Sequence, residues 1–361
     1  MPRLALTTLS IQQELAEFAR HVAGGLGALR AAGDLRPGVT PRTAVLRVDG
    51  VVLYRYGRQP AADAQPLLIV YALVNRPEMA DLEAGRSLVA GLIAGGFDVY
   101  LIDWGYPTGA ERLLGLDDYV NRYLDACVEH LRERLGLAAL PLLGICQGGT
   151  FSACYAALNP HKVSRLVTTV TPIDFHTPDD MLSHLVRHID VDALVASCGN
   201  VSGDLLNALF LSLKPYRLLQ QKYLRLLEQL DDRAAVAAFL RMEHWIFDSP
   251  ALTATACREF ARDFYQANRL ARGELRLGGR AVDLRNLTMP VLNVYARDDH
   301  LVPPAASRAL GGLIGTAAYT EAAISGGHIG IYVGGRSSGG VATLVQRWMH
   351  GVPLAAALGE S

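Results

Sequence analysis

No charge of either sign dominates this sequence: 34 Lys and Arg stand against 35 Asp and Glu, spread along 361 residues. Without a basic stripe, nucleic acid is not an expected partner, and without an acidic tail no basic partner is called for. Long hydrophobic runs are also missing. The longest, "LLIVYALV" (67 to 74) and "LGLAALPLLGIC" (135 to 146), stop short of the ~20 residues that span a bilayer, so no transmembrane segment is expected. The N-terminus meets Gln12, Gln13 and Glu14 before an apolar signal region can develop, and a cytoplasmic location is the expectation. Cysteine is scarce as well. Cys127, Cys146, Cys154, Cys198 and Cys257 are odd in number and scattered, with no CxxC pair and no His/Cys cluster. Neither a disulfide framework nor a metal site is indicated.

What the chain has in quantity is apolar residues, 50% of the total, enough to bury a sizeable core. Residues 9 to 31 place Ile11, Leu15, Phe18, Val22, Leu26 and Leu29 at three-and-four spacing, which predicts an amphipathic helical arm within 1–40. Its apolar face is expected to pack on the protein's own body, with a partner as the alternative. "TAVLRVDGVVLYRY" (43 to 56) reads as two strands joined at Asp49-Gly50. Then "LLIVYA" (67 to 72), "DVYLIDW" (98 to 104), "LPLLGI" (140 to 145) and "SRLVTTV" (164 to 170) alternate with helical segments at about 79 to 95, 117 to 135 and 147 to 158. Such continuous apolar strands are buried on both faces, as in a parallel sheet covered by helices.

After Pro172 the strand rhythm gives way to helical stretches rich in Leu and aromatics. It resumes with "PVLNVYA" (290 to 296) and "AAYTEAAI" (317 to 324), before a last helix at about 338 to 350. The organisation predicted is a mostly parallel α/β core over 41–171 and 289–361, interrupted by a helical cap at 172–288. Within the cap, Trp245, Phe247, Phe260, Phe264 and Tyr265 are expected to form its own core.

"PLLGICQGGT" (141 to 150) carries the chemistry. Strand, G-x-C-x-G and helix in that order form a nucleophile elbow, the strained strand-to-helix turn of the α/β-hydrolase fold. Gly144 and Gly148 would keep Cβ atoms from crowding at the turn. The helix N-terminus favours a thiolate at Cys146, and the Gln147 backbone N–H would face a developing oxyanion. The fold asks next for an acid after a late strand and a histidine after the last one. "VYARDDHLVPP" supplies Asp298 or Asp299, between which spacing does not choose. "ISGGHIGIY" supplies His328, and His300 takes a supporting place. Val74 and Asn75, in the loop after "LLIVYA", are candidates for the second oxyanion donor.

With these motifs in hand, the sequence resembles the catalytic subunit of class III polyhydroxyalkanoate synthases over nearly its whole length. The carriers are "LLIVYALVNRP", "VYLIDWGYP", "LLGICQGG", "LFLSLKP", "FLRMEHWIFDSP", "DHLVPP" and "GGHIGIYV". On this resemblance, the long N-terminal region of classes I and II is not expected. The resemblance implies Cys146 as nucleophile, Asp299 as the acid and His328 as general base. It implies polymerisation of (R)-3-hydroxyacyl-CoA, chiefly 3-hydroxybutyryl-CoA, with coenzyme A only as part of the substrate and as a product, and no other cofactor. It further implies an accessory synthase subunit, a possible homodimer and association with polyester granules. A cysteine-dependent hydrolase or thioesterase, with water as the acceptor, is the competing expectation.

Overall fold

The computed structural model describes residues 37–213, 222–333 and 338–354. The arm expected at 9 to 31 lies outside them. One eight-stranded sheet organises the molecule, built from β1 (Arg42–Val48), β2 (Val51–Tyr56), β3 (Gln65–Val70), β4 (Phe97–Asp103), β5 (Leu140–Ile145), β6 (Val163–Thr169), β7 (Val291–Ala296) and β8 (Tyr319–Ile324). Their spatial order is β1-β2-β4-β3-β5-β6-β7-β8. Only β2 runs against its neighbours; from β4 to β8 every pairing is parallel. The β1–β2 hairpin turns at Asp49-Gly50, with Val48 paired to Val51 and Asp49 alone of the two at positive φ.

The central strands are apolar on both faces because helices cover both. Leu68, Val70, Tyr100, Ile102 and Leu142 face α2 (Asp125–Leu135) and α3 (Gln147–Leu158). Leu67, Ile69, Val99, Leu101 and Leu143 face α1 (Leu88–Ala94) and, at the end of the chain, the C-terminal helix Ser338–Met349. Each such side chain buried contributes about 1.5–3 kcal/mol, which fixes the strand order and leaves loops at the strand ends to carry the chemistry.

The helix expected at about 79 to 95 is broken. A 3₁₀ turn at Pro77–Ala80 and a small hairpin, Asp81–Glu83 with Arg86–Ser87, precede α1. Gly85 takes a left-handed φ of 78° at the hairpin turn, and the buried Asp81 carboxylate accepts the Thr40 N–H, the Thr40 hydroxyl and the Ser87 hydroxyl. These bonds outweigh helical spacing.

Between β6 and β7 the described chain is mostly helical: α4 (Met181–Val186), α5 (Val191–Cys198), α6 (Gly203–Ser212), α7 (Lys222–Glu228), α8 (Arg233–Phe247) and α9 (Ala254–Glu259), which runs on into a π-helical turn at Phe260–Gln266. Asp180, Asp190, Ser202 and Asp232 cap α4, α5, α6 and α8 by accepting N–H bonds. Two features depart from expectation. A short hairpin, Arg276–Leu277 with Arg280–Ala281, interrupts the helical region. Phe247, the last residue of α8, is 56% exposed and belongs to no core, whereas Trp245, Phe260 and Phe264 are buried. After β7 come α10 (Pro304–Arg308), α11 (Gly330–Val333) and α12 (Ser338–Met349).

Candidate active site

Cys146 stands between β5 and α3 with φ 54° and ψ −125°, a conformation that an L-residue adopts only under constraint. The constraint is visible. The Cys146 N–H donates to the Thr169 carbonyl on β6 (2.9 Å), and its carbonyl accepts the Gly149 N–H (2.9 Å). The glycines admit this turn, as expected, and the β3 backbone adds a contact that spacing does not show. A Cβ on Gly144 would lie 2.3 Å from Gly149 Cα, whereas one on Gly148 would lie 2.2 Å from the Val70 carbonyl oxygen at the end of β3. Gly148 therefore lets α3 approach β3, and its carbonyl oxygen would also lie 2.8 Å from a Cβ on Gly144. Gly149 matters equally, since its Cβ would fall 1.9 Å from Thr171 Oγ1.

The loops after β7 and β8 bring two further groups together. His328 Nδ1 lies 2.7 Å from Asp299 Oδ2, and both residues are buried. Asp299 Oδ1 accepts the N–H groups of Leu301 and Val302, each at 2.9 Å. Asp299 thus accepts from two backbone N–H groups, and His328 offers it the Nδ1 proton. Asp298 is exposed and ties the two loops instead, its Oδ2 accepting the Gly326 N–H and its own N–H reaching the Gly326 carbonyl. Of the two aspartates, Asp299 is the one that meets His328.

The other face of the imidazole meets the Cys146 thiol. Burial opposes a charge on His328, but the Asp299 carboxylate and the Cys146 sulfur, each a charge neighbour and a hydrogen-bond partner, outweigh it and hold the imidazole pKa well above its ordinary value. Burial, by contrast, pushes the hydroxyls of Tyr71, Tyr265 and Tyr332 upward and keeps them protonated near neutrality. Tyr332 bonds Thr169 Oγ1, which also donates to the Gly144 carbonyl (3.2 Å), bracing the elbow from beneath.

Val74, Asn75 and Gln147 line the same cavity as Cys146, His300 and His328. The Gln147 side chain anchors the loop after β3, its Oε1 accepting the Leu73 N–H at 3.0 Å. Asn75 is left-handed (φ 60°). The cavity measures about 640 Å³ and is lined chiefly by apolar groups, among them Leu194, Leu206, Leu209, Phe210, Met242 and Ile246 from α5, α6 and α8. Trp245, Phe260 and Tyr265 both fill the interior and border this space. Among the described residues, no group of three or more His, Cys, Asp or Glu side chains could hold a metal ion, and no helix is long and apolar enough to cross a membrane.

The arrangement is a thiol, an imidazole and a carboxylate in series, opening on an apolar chamber: equipment for acyl transfer through a covalent intermediate. The sequence profile of the alpha/beta hydrolase fold family matches residues 65–335. A poly(3-hydroxyalkanoate) polymerase subunit PhaC from Allochromatium vinosum is 52% identical over 94% of this chain and 97% of its own length. The chain belongs to the PhaC family. It is accordingly an enzyme of the acyltransferase type. The PhaC of Thiocystis violacea is 49% identical over 94% of this chain and 96% of its own. Among solved structures, a monoacylglycerol lipase of Paleococcus ferrophilus superposes with a TM-score of 0.51 at 17% identity, covering 82% of this chain and 98% of the lipase. That likeness concerns the fold alone.

Sequence reasoning missed several participants. Gly149 was inside the quoted motif, and its role needed the position of Thr171. Ser249, which bonds Asn75, and Asn207, which bonds Ser249, act through a meeting of segments distant in sequence that no spacing shows.

Proposed function

We propose that the protein polymerises (R)-3-hydroxyacyl-CoA, chiefly 3-hydroxybutyryl-CoA, into polyester with release of CoA. The observation that carries this reading is the Asp299–His328 pair at 2.7 Å, with the imidazole against the Cys146 thiol, at one wall of a largely apolar chamber.

His328 Nε2 takes the thiol proton, giving the thiolate–imidazolium pair that its raised pKa favours, and the thiolate attacks the thioester carbonyl. The tetrahedral oxyanion is held by the Gln147 N–H and by an N–H of the 74–75 loop. On collapse, the carbon–sulfur bond to CoA breaks, the imidazolium returns its proton to the leaving CoA thiolate, and an acyl group remains on Cys146. Exchange of one thioester for another costs little free energy and keeps the acyl group activated, which an ester on serine would not. In the second half, His328 takes the proton from the 3-hydroxyl of an incoming monomer, and that oxygen attacks the acyl-Cys146. An ester forms, the Cys146 sulfur leaves and is reprotonated, and the extended acyl-CoA can acylate Cys146 again. Asp299 holds the imidazole in the tautomer this needs and stabilises its charged form.

Cys257 also borders the chamber, but burial pushes its thiol up to about 11, so Cys146 is the nucleophile at neutral pH. Residues 172–288 serve as a cap that keeps water from the acyl-thioester, because hydrolysis would end the chain. His300 supports the site from its wall. No cofactor takes part; CoA enters with the substrate and leaves as product. By the family resemblance the enzyme works in the cytoplasm with an accessory subunit, at the surface of the granules it makes. The test is the fate of 3-hydroxybutyryl-CoA: insoluble polyester with stoichiometric CoA supports the reading, and soluble 3-hydroxybutyrate as the sole product refutes it in favour of a hydrolase.

A further inference from the structure

Asn75 is held in a left-handed conformation that costs a non-glycine residue roughly 1 kcal/mol or more. A local partner offsets that cost. The Ser249 hydroxyl, just beyond the end of α8, donates to Asn75 Oδ1 at 2.5 Å. It also receives a hydrogen bond from Asn207 Nδ2 of α6 at 3.1 Å, and the same amide donates to the Ile246 carbonyl on α8 at 2.6 Å. Gly203, the first residue of α6, sits so close to Ser249 that a Cβ there would lie 2.1 Å from the Ser249 carbonyl oxygen. A second bond runs in parallel: Trp245 Nε1 of α8 donates to the Arg76 carbonyl at 2.7 Å.

The loop that borders Cys146 is therefore fastened on two sides. On the core side, Gln147 holds Leu73 and the Asp103 carboxylate grips the Arg76 guanidinium. On the cap side, Ser249 and Trp245 hold Asn75 and Arg76. The helices that provide the cap-side bonds, α6 and α8, also line the acyl chamber with Leu206, Leu209, Phe210 and Ile246.

We infer that Ser249 is a positioning residue for acyl transfer. Its bond to Asn75 fixes the direction of the N–H groups of the 74–75 loop, so that oxyanion stabilisation depends on α6 and α8 being seated as they are in this structure. This rests on the reading of Cys146 as the nucleophile. Donors misaimed by a fraction of an ångström lose most of their worth in the transition state while leaving ground-state binding intact.

The experiment measures single-turnover CoA release and steady-state kinetics with 3-hydroxybutyryl-CoA for Ser249→Ala, Asn75→Ala, the double variant Ser249→Ala/Asn75→Ala, and Ser249→Ala/Asn75→Gly, with thermal melting of each. Ser249→Ala should slow CoA release about 10- to 100-fold with KM within about twofold of the parent. Asn75→Ala should lose a similar factor, and the double alanine variant little more than either single change, because the two residues act through one bond. Glycine at 75 adopts the left-handed conformation without an anchor, so Ser249→Ala/Asn75→Gly should recover several-fold over Ser249→Ala. The inference is overturned by full activity in Ser249→Ala, by a loss confined to KM, by single losses that multiply in the double alanine variant, or by a loss that tracks a fall in Tm and is not recovered by glycine. CoA release that persists in Cys146→Ala would overturn the nucleophile assignment instead, whatever Ser249 does.

Discussion

Replacing Asp299 by Asn changes one atom type at the centre of the proposed mechanism. The shape of the side chain is kept, and the Asn carbonyl oxygen can still accept from Leu301 and Val302, as Oδ1 does now at 2.9 Å from each. The other oxygen, 2.7 Å from His328 Nδ1, becomes an NH₂ group. Two donors then face each other unless the imidazole moves its proton to Nε2, the nitrogen that must be empty to take a proton from Cys146. The charge is lost as well. A carboxylate about 4 Å from the centre of the imidazolium is worth about 4 kcal/mol at an effective dielectric constant near 20, or about three decades in rate where that cation forms in the transition state. Tautomer and charge together predict a fall of about 10³- to 10⁴-fold in the acylation rate, with KM little changed. Stopped-flow CoA release under single-turnover conditions measures it, with melting temperature as a check that the buried loop still folds. A loss of less than tenfold in a folded variant would refute the argument that Asp299 sets the state of His328.

Other consequences follow from the same geometry. Cys146→Ala should abolish CoA release and polymer formation, and Cys146→Ser should be severely impaired, read by the same two assays. Gly144→Ala should cost at least about 1–3 kcal/mol and lower Tm, because its Cβ would meet the backbone of Gly149 at 2.3 Å with no flexible side chain to yield. The raised pKa of His328 carries a sign: a group whose native pKa exceeds its unfolded value of about 6.5 contributes its stabilisation in full below that pH and loses it as pH rises through the native value. The urea midpoint of the parent should therefore fall above about pH 6.5 more steeply than that of His328→Gln, and parallel curves would count against the pairing. Limited alkylation at pH 8 should label Cys146 and the exposed Cys198, and spare Cys127, Cys154 and Cys257, whose thiols burial pushes upward, to about 12 for Cys127 and about 11 for Cys257. Peptide mapping reads the sites.

The sheet was legible in the sequence because burial on both faces leaves a local mark. The strands expected at 98 to 104 and 140 to 145 are β4, one residue earlier, and β5, over the same residues. The helix at 147 to 158 agrees at both ends with α3, since the glycine turn marks its start. The break at 81 to 87 was not legible, because Asp81 earns its place through Thr40 and Ser87, one of them far away in sequence. Phe247 misled for a related reason: aromatic character says that a residue can be buried, and only the direction in which α8 ends says whether it is. At the site, motif order located the cysteine, the aspartate pair and the histidine. Spacing alone left Asp298 and Asp299 equivalent, and in the structure they differ because one points at His328 and the other at Gly326. The Asn207–Ser249–Asn75 chain joins three segments distant in sequence through ordinary polar residues, and no local pattern announces it.

In the proposed mechanism Cys146 carries the acyl group as a thioester between CoA and the next hydroxyl. The most direct test is rapid acid quenching of the enzyme with radiolabelled 3-hydroxybutyryl-CoA, followed by proteolysis and mass analysis of the peptide that contains residue 146. Label on Cys146, labile to hydroxylamine, is expected in step with the first equivalent of CoA released, and a chase with unlabelled substrate should transfer it to polymer. A full burst of CoA with no acyl group on that peptide would contradict it.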